Sequence, residues 1–245
     1  MIKKILLLLA LALTAAYLVA AVTVLNGDPV KVVCKGMELT VRDNFEYGLV
    51  TQKDIDALLK RKKMYPVGKS ADEVNVRAIE DTVAAHPFVK SAQCYLTTGG
   101  TVKLDIYQRI PLLRVMTNEG ADYFIDSEGE ILATAGRPVH VAVATGYIDD
   151  NFARTQLYEL AQYIRGDKFW EAQIEQVVVT ARKEIELIPR VGSHVLFLGK
   201  PGGYNEKFTK LRTFYEKALN EVGWNKYERI SIEFTNQIIC KKKDK

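Results

Sequence analysis

Three histidines are the first candidates for chemistry at neutral pH, because imidazole titrates there without help. His86 precedes Pro87 at the end of a helical pattern, His140 lies in an extended run, and His194 follows Ser193 at the start of another. A nucleophile and its base must reach one another to hydrogen-bond. Neighbours on a strand point to opposite faces, so Ser193 and His194 do not suit that pairing. The chain holds no H-E-x-x-H, G-x-S-x-G or Walker A spacing. "GKPGGY" (199–204) could cradle an anion on backbone N–H groups ahead of a helix. A strand-to-helix connector accounts for the same glycines with less assumption. "DSEGE" (126–130) gathers carboxylates, but a tight turn asks for such residues anyway. Cys34, Cys94 and Cys240 are odd in number and lack C-x-x-C spacing. They support neither a disulfide framework nor a zinc site, although one bridge remains allowed. The expectation is a chain with no catalytic residue, metal or cofactor, hence not an enzyme; its surfaces must carry the function.

The elements that would present those surfaces follow from periodicity and punctuation. Lys3 and Lys4 precede an uncharged apolar run, 5–25, of roughly 21 residues, which as a helix covers about 31 Å and matches a hydrocarbon core. A cleaved signal peptide is the alternative, with Leu18–Ala20 before Ala21 as its cleavage site. The run, however, exceeds the usual apolar region of about 7–15 residues, which favours an uncleaved anchor. The lysines place residues 1–4 in the cytoplasm and the bulk outside. Gly27 and Asp28-Pro29 break this helix. "VKVV" (30–33) and "MELTVRD" (37–43) read as extended. Thr51 is an N-cap with Asp54 three residues on, opening a helix to 63 whose buried stripe is Ile55, Leu58 and Leu59. Its last residues, Lys60–Lys63, complement the negative end of the helix dipole. A loop (65–73) leads to a second helix, 74–86, with Val76, Ile79 and Val83 at helical spacing, stopped by Pro87. Strands 89–96 and 101–109 flank "TTGG", a hairpin turn.

Beyond Pro111 the pattern becomes richer in strands. A hairpin (121–135) turns at 126–129, and "PVHVAVAT" (138–145) is another strand. A helix (151–166) starts at Asn151 with Leu157, Leu160 and Ile164 inward, and strands follow at 174–180, 183–189 and 193–199. The longest helix, 205–223, buries Phe208, Leu211, Phe214, Tyr215, Ala218 and Leu219. "RISIEFTNQIIC" (229–240) reads as one half-buried final strand, with Ile230, Ile232, Phe234, Asn236 and Ile238 on one face and Ser231, Glu233, Thr235 and Gln237 on the other. The fold class is α+β: a membrane helix, a β-α-α-β-β unit, then a mainly antiparallel β domain with flanking helices. The 245 residues, 26% charged and 48% hydrophobic with a net charge of +4, suit folded domains and do not imply a nucleic-acid partner.

This order resembles the bacterial cell-division family FtsQ/DivIB. "HPFVKSAQCYL…TVKLDIYQRIPLLRV" is similar to that family's P-aromatic-V-x-x-A…L-x-I-x-(V/E)-R-x-P stretch, which ends its POTRA domain. "YFIDSEGEIL" is similar to its D-x-x-G hairpin, and "KFTKLRTFYEKAL…KYERISIEFTNQIICK" to its last helix and strand. The chain departs from the pattern in its cytoplasmic tail of about four residues, in Gln108 where an acidic residue is common, and in Glu233 where a basic one is often seen. The resemblance implies a short cytoplasmic tail (1–4), a transmembrane helix (5–25), a POTRA-like domain (35–114), a C-terminal β domain (115–240) and a basic tail (241–245). It implies a single-pass inner-membrane scaffold at the division septum that recruits FtsB- and FtsL-like proteins and other divisome components to control septal wall synthesis. It also implies partner-binding roles for Arg182, Ile230, Ile232, Phe234, Asn236 and Ile238. Phe234 stands where other members have a contact Tyr, and Arg182 matches a basic contact residue. The second reading is a POTRA-containing envelope transport or outer-membrane assembly factor.

Overall fold

The structure is a computed structural model, which describes residues 2–25, 32–42, 48–134, 136, 138–234 and 236–243. The expected helix breakers Gly27–Pro29, the strand residues Val30, Lys31 and Asp43, Ala135, Thr235, and the ends Met1 and 244–245 lie outside these. Helix α1 (Ile2–Leu25) carries a window, Lys3–Thr23, of mean hydropathy 2.7 that is nowhere buried against the rest of the protein. An apolar helix with no protein partner takes lipid as its solvent. Its two threonines are satisfied within the helix: Thr14 donates to the Leu11 carbonyl and Thr23 to the Val19 carbonyl, each at 2.9 Å.

The first globular unit is a three-stranded sheet, in order β1 (Gly36–Val41), β3 (Thr101–Gln108), β2 (Val89–Leu96), covered on one face by two helices. Of the "VKVV" run, Val33 makes only an isolated bridge to Ser70. Helix α2 (Gln52–Arg61) starts on the anticipated capping box, Thr51 and Asp54 each bonding the other's backbone N–H. Helix α3 (Val76–Ala84) is capped by Asn75 and ends before Pro87. Ile55, Leu59, Ile79 and Val83 from the helices meet Val89, Leu104 and Ile106 from the sheet. At the β2–β3 turn Gly100 has φ +84°, and a Cβ there would sit 2.6 Å from the Val33 carbonyl oxygen. Only glycine allows the turn and that close approach together.

The second unit is a nine-stranded sheet in the order β12-β11-β10-β9-β8-β7-β4-β5-β6. Strands β4 (Pro111–Thr117), β5 (Asp122–Asp126) and β6 (Ile131–Ala133) form a meander, so residues 111–114, expected with the first unit, run in the second sheet. Strand β7 (Ala142–Gly146) starts later than expected and pairs parallel with β4. Helix α4 (Asp150–Phe152), a π turn at Ala153–Leu157 and α5 (Tyr158–Gly166) run on as one helix, capped by Asp149 rather than by Asn151. Helix α6 (Lys168–Gln173) is not anticipated by periodicity: six residues are too few to show it. It delivers Trp170, fully buried against Phe208 and Tyr215 with ring centroids 4.9 and 5.9 Å away. Strands β8 (Ile174–Val179), β9 (Ile185–Pro189) and β10 (Val195–Gly199) pair antiparallel in sequence. The long helix then follows as α7 (Tyr204–Phe214), a π turn and α8 (Asn220–Val222). It crosses over to β11 (Tyr227–Ser231), parallel to β10, and β12 (Ile239–Lys242) closes the chain.

The two units share a seam. Arg109 donates to Asp126 Oδ2 at 2.9 Å, while Asp126 Oδ1 accepts the Glu128 and Glu130 N–H groups at 2.9 and 2.8 Å. The Asp126 side chain is 1% exposed. Ser127 N–H donates to the Ile110 carbonyl, and Phe124 and Leu132 insert beside Phe88 in the first unit's core. Gln108, one of the departures from the family pattern, takes the Val50 N–H on its side-chain oxygen at 3.0 Å. Removing a buried, hydrogen-bonded charge partner is costly, so Asp126→Ala is expected to lower unfolding free energy by about 3 kcal/mol. Chemical denaturation of the full chain checks this; Glu128→Ala, which removes only the exposed pair with Lys90, should change it by less than about 1 kcal/mol. Equal effects of the two substitutions would contradict the seam.

Candidate functional site

Ser193 and His194 are engaged in structural contacts, whereas His140 is exposed. Ser193 Oγ meets Asn225 Oδ1 at 2.9 Å, whereas buried His194 meets the Tyr215 hydroxyl through Nε2 at 2.8 Å. The two residues do not bond each other through these atoms; both lie ahead of β10 rather than in the strand that the sequence suggests. Tyr215 and Trp224 pack their rings around His194, and burial, with the Lys243 cation adding to it, holds its pKa below the usual imidazole value; its Nδ1 has no hydrogen-bond partner among the described residues. His194 is therefore a neutral core group. Gly203 takes a left-handed conformation at the start of α7, and the adjoining Lys207 fills the connector, donating Nζ to the Leu198 and Lys200 carbonyls at 3.0 and 2.9 Å. Among the described residues no group of three or more His, Cys, Asp or Glu could hold a metal ion.

The expected final strand is instead two strands. Strand β11 ends at Ser231 and β12 begins at Ile239, folded back antiparallel so that Ile230 faces Cys240 and Ser231 faces Ile239. The five residues expected on one strand face therefore separate. Ile230 and Ile232 are 0% exposed and belong to the core; Ile238 is half-buried against it. Phe234, 45% exposed, and Asn236 lie in the intervening bend. The cause is α7: Lys210 Nζ donates to the Phe234 carbonyl and, at 3.2 Å, to the Gln237 carbonyl, which gathers the bend. Burial lowers the pKa of both Lys207 and Lys210; Glu233 opposes the shift at Lys207. Gly199, at φ +74°, clears room for Glu233, since a Cβ there would lie 2.8 Å from Glu233 Cγ. An alternating sequence could not reveal a bend held by a lysine twenty-odd residues away.

The refolded end creates a different candidate surface. Strand β12 is an end strand of the nine-stranded sheet, and Ile239, 50% exposed, with Lys241 and Lys242 lies along it. The helices cover one face of this sheet. Across the other runs a row of half-buried or exposed side chains, Met116, Thr145, Val178, Glu186, Phe197, Ser231 and Ile239, in register from strand to strand. Arg229 stacks over Phe197 at 4.2 Å and pairs with Glu186 at 2.8 Å on this face. Arg182 is exposed in the β8–β9 turn, at the same end of the sheet as the 232–238 bend but with β9, β10 and β11 between it and β12. It therefore does not join the terminal bend. Ile239, Lys241 and Lys242 escape sequence reasoning because the turn before them lacks glycine or proline; the apolar "QIIC" ahead of a lysine run was their only signal.

An apolar helix long enough to cross a membrane, a β-α-α-β-β unit and a long open mixed sheet joined to that unit define the architecture. Residues 32–107 match the POTRA-like domain family, and residues 110–241 match the family described as FtsQ/DivIB, C-terminal related. The second match alone covers more than half of the chain, which belongs to this FtsQ/DivIB cell-division family. No curated protein sequence matches it.

Two outcomes follow from the geometry. Lys210→Met is expected to release the 232–238 bend at a cost of about 1 kcal/mol, accelerating amide exchange in 236–242 several-fold while leaving β8 unchanged. Uniform acceleration across the sheet would mean that Lys210 acts elsewhere. For His194 the folded pKa is depressed, so the unfolded chain takes up the proton first, and stability falls as pH drops below about 6.5. Urea unfolding at about pH 7.5 and about pH 5.5 should show this loss, and His194→Gln should diminish it. An identical pH slope in the variant would exclude His194 as its source.

Proposed function

We propose that this protein is a non-catalytic, single-span scaffold of the divisome that recruits FtsB- and FtsL-like partners and helps control septal cell-wall synthesis. The anchor leaves residues 1–4 in the cytoplasm and both folded units outside, with the POTRA-like unit ending and the β domain beginning at about Arg109–Pro111. Confinement to the membrane raises the effective concentration of partners that are themselves membrane-bound. The observation that carries the reading is the terminal edge of a domain matched by the FtsQ/DivIB family: β12 ends the sheet, and a partner strand can pair with its outward N–H and C=O groups. Phe234, Asn236 and Ile239 supply side-chain contacts beside that strand, and Arg182 supplies a charge at the same end of the sheet. Ile230, Ile232 and Ile238 act from behind, by holding the hairpin against the core.

Co-purification of the full chain with an FtsB-like coiled-coil protein tests this. Phe234→Asp and Ile239→Asp are expected to weaken capture at least about tenfold, since truncating or charging a central contact costs 2 kcal/mol or more. Ile232→Asp is unsuitable because that side chain is in the core. Full capture by both folded variants would remove the terminal hairpin as the interface, and normal septation after depletion in cells would sink the division role.

A further inference from the structure

The POTRA-like unit has two poles, and their chemistry differs. Strands β1 and β3 run parallel, Gly36 facing Thr101 and Val41 facing Ile106, so both begin at one pole and end at the other. The far pole is the seam with the second sheet. At the near pole the chain arrives from α1: Leu25 ends the helix and the unit begins by Val32, a separation of seven residues that spans at most about 25 Å. Val32 and Cys34 are strapped down at once, since the Val32 carbonyl accepts from Ala71, Cys34 N–H donates to Lys69, and Gly68 donates back to Cys34.

Helix α2 ends at this same pole and brings Lys60, Arg61, Lys62 and Lys63, all exposed; Lys35 and Lys69 join them. Lys69 Nζ donates to the Lys63 carbonyl at 3.2 Å, and Lys60 lies 4.7 Å over the Tyr65 ring. Arg61, Lys62, Lys63 and Lys35 have no carboxylate partner among the described residues. Neutralising a helix C-terminus engages the last turn and is worth well under the field of so many cations. The carboxylates nearby are Asp72, Glu73 and Asp81; Glu73 is turned back onto the Ser70 N–H, and Asp81 lines a pocket with Arg61 and Lys62 without an ion pair to either among the described residues. Two exposed valines, Val33 and Val67, sit among the cations.

We propose that this pole docks on the membrane: its cations contact anionic phospholipid headgroups of the leaflet from which α1 emerges, with Val33 and Val67 at the interface, and so fix the tilt of the first unit. The placement of the patch at the tethered pole, within reach of the bilayer, selects a lipid surface over a soluble anion. Such a contact is electrostatic, cumulative over the basic residues and screened by salt. It rests on α1 spanning the membrane and is independent of the partner at β12.

The test uses the full chain in nanodiscs, labelled at Val67→Cys in a Cys94→Ser/Cys240→Ser background, with energy transfer read to a dye on lipid headgroups. Transfer should be about twofold higher in discs containing phosphatidylglycerol than in pure phosphatidylcholine, and the difference should vanish near 0.5 M salt, where the screening length is only about 4 Å. Arg61→Gln/Lys62→Gln/Lys63→Asn should abolish it, asparagine being chosen because residue 63 has φ 59°. Arg61→Lys/Lys62→Arg/Lys63→Arg should restore it, which separates charge from folding. Equal transfer in the two lipids, or a lipid difference that survives neutralisation, would overturn the proposal. Loss of the difference on adding soluble glycerol phosphate at constant ionic strength would assign the patch to a free phosphate and overturn it too.

Discussion

A carboxylate withdrawn from water must be answered by donors, because a buried charge left unpaired is strongly destabilising. Asp126 is answered three times, by Arg109 and by two N–H groups of its own turn. Arg109 ends the first unit's hairpin and Asp126 opens the second unit's turn, so a single ion pair welds the stretch "QRIP" to the stretch "DSEG". Phe124 and Leu132 then fill the first core from the second sheet. The two units consequently share one boundary layer, and the first unit's opposite pole is the one left facing the anchor.

Sheet edges impose the second constraint, because an end strand exposes donors and acceptors that some chain will pair with. Two edges are partly capped from within: Gln52 takes the Leu39 N–H of β1 at 2.9 Å, and Glu80 takes the Cys94 N–H of β2 at 2.8 Å. Edge strand β6 is three residues long, and its Leu132 is committed to the seam. Strand β12 is protected differently, by lysines, of which Lys241 pairs with Glu228 at 2.8 Å. Lysines deter indiscriminate pairing while remaining compatible with a partner of opposite charge. That difference, together with the family match, directs the functional reading to the last strand.

The first unit was almost wholly legible. Its capping box, its Pro87 stop and the "TTGG" turn are local signals, and local signals survive without knowledge of the tertiary fold. The helix over 205–223 showed itself through Phe208, Leu211 and Leu219. The parallel pairings of β4 with β7 and of β10 with β11 were not legible, since nothing in a strand's own sequence states its neighbour. The terminal segment reads as one strand, whereas it folds as two. Ile230 and Ile232 alternate as a strand should, and the pattern continues formally to Ile238; Lys210, distant in sequence, decides that it bends. Arg109 and Asp126 were each noticed within separate motifs, but only the folded chain brings them together.

The claim that β12 is the partner's docking strand is tested most directly by amide hydrogen exchange on the full chain, with and without a bound FtsB-like protein. Backbone pairing along this edge requires new protection within 239–242, together with slower exchange in the adjoining bend. Protection confined to the POTRA-like unit or to the outer sheet face, with 239–242 unchanged in the complex, would contradict it.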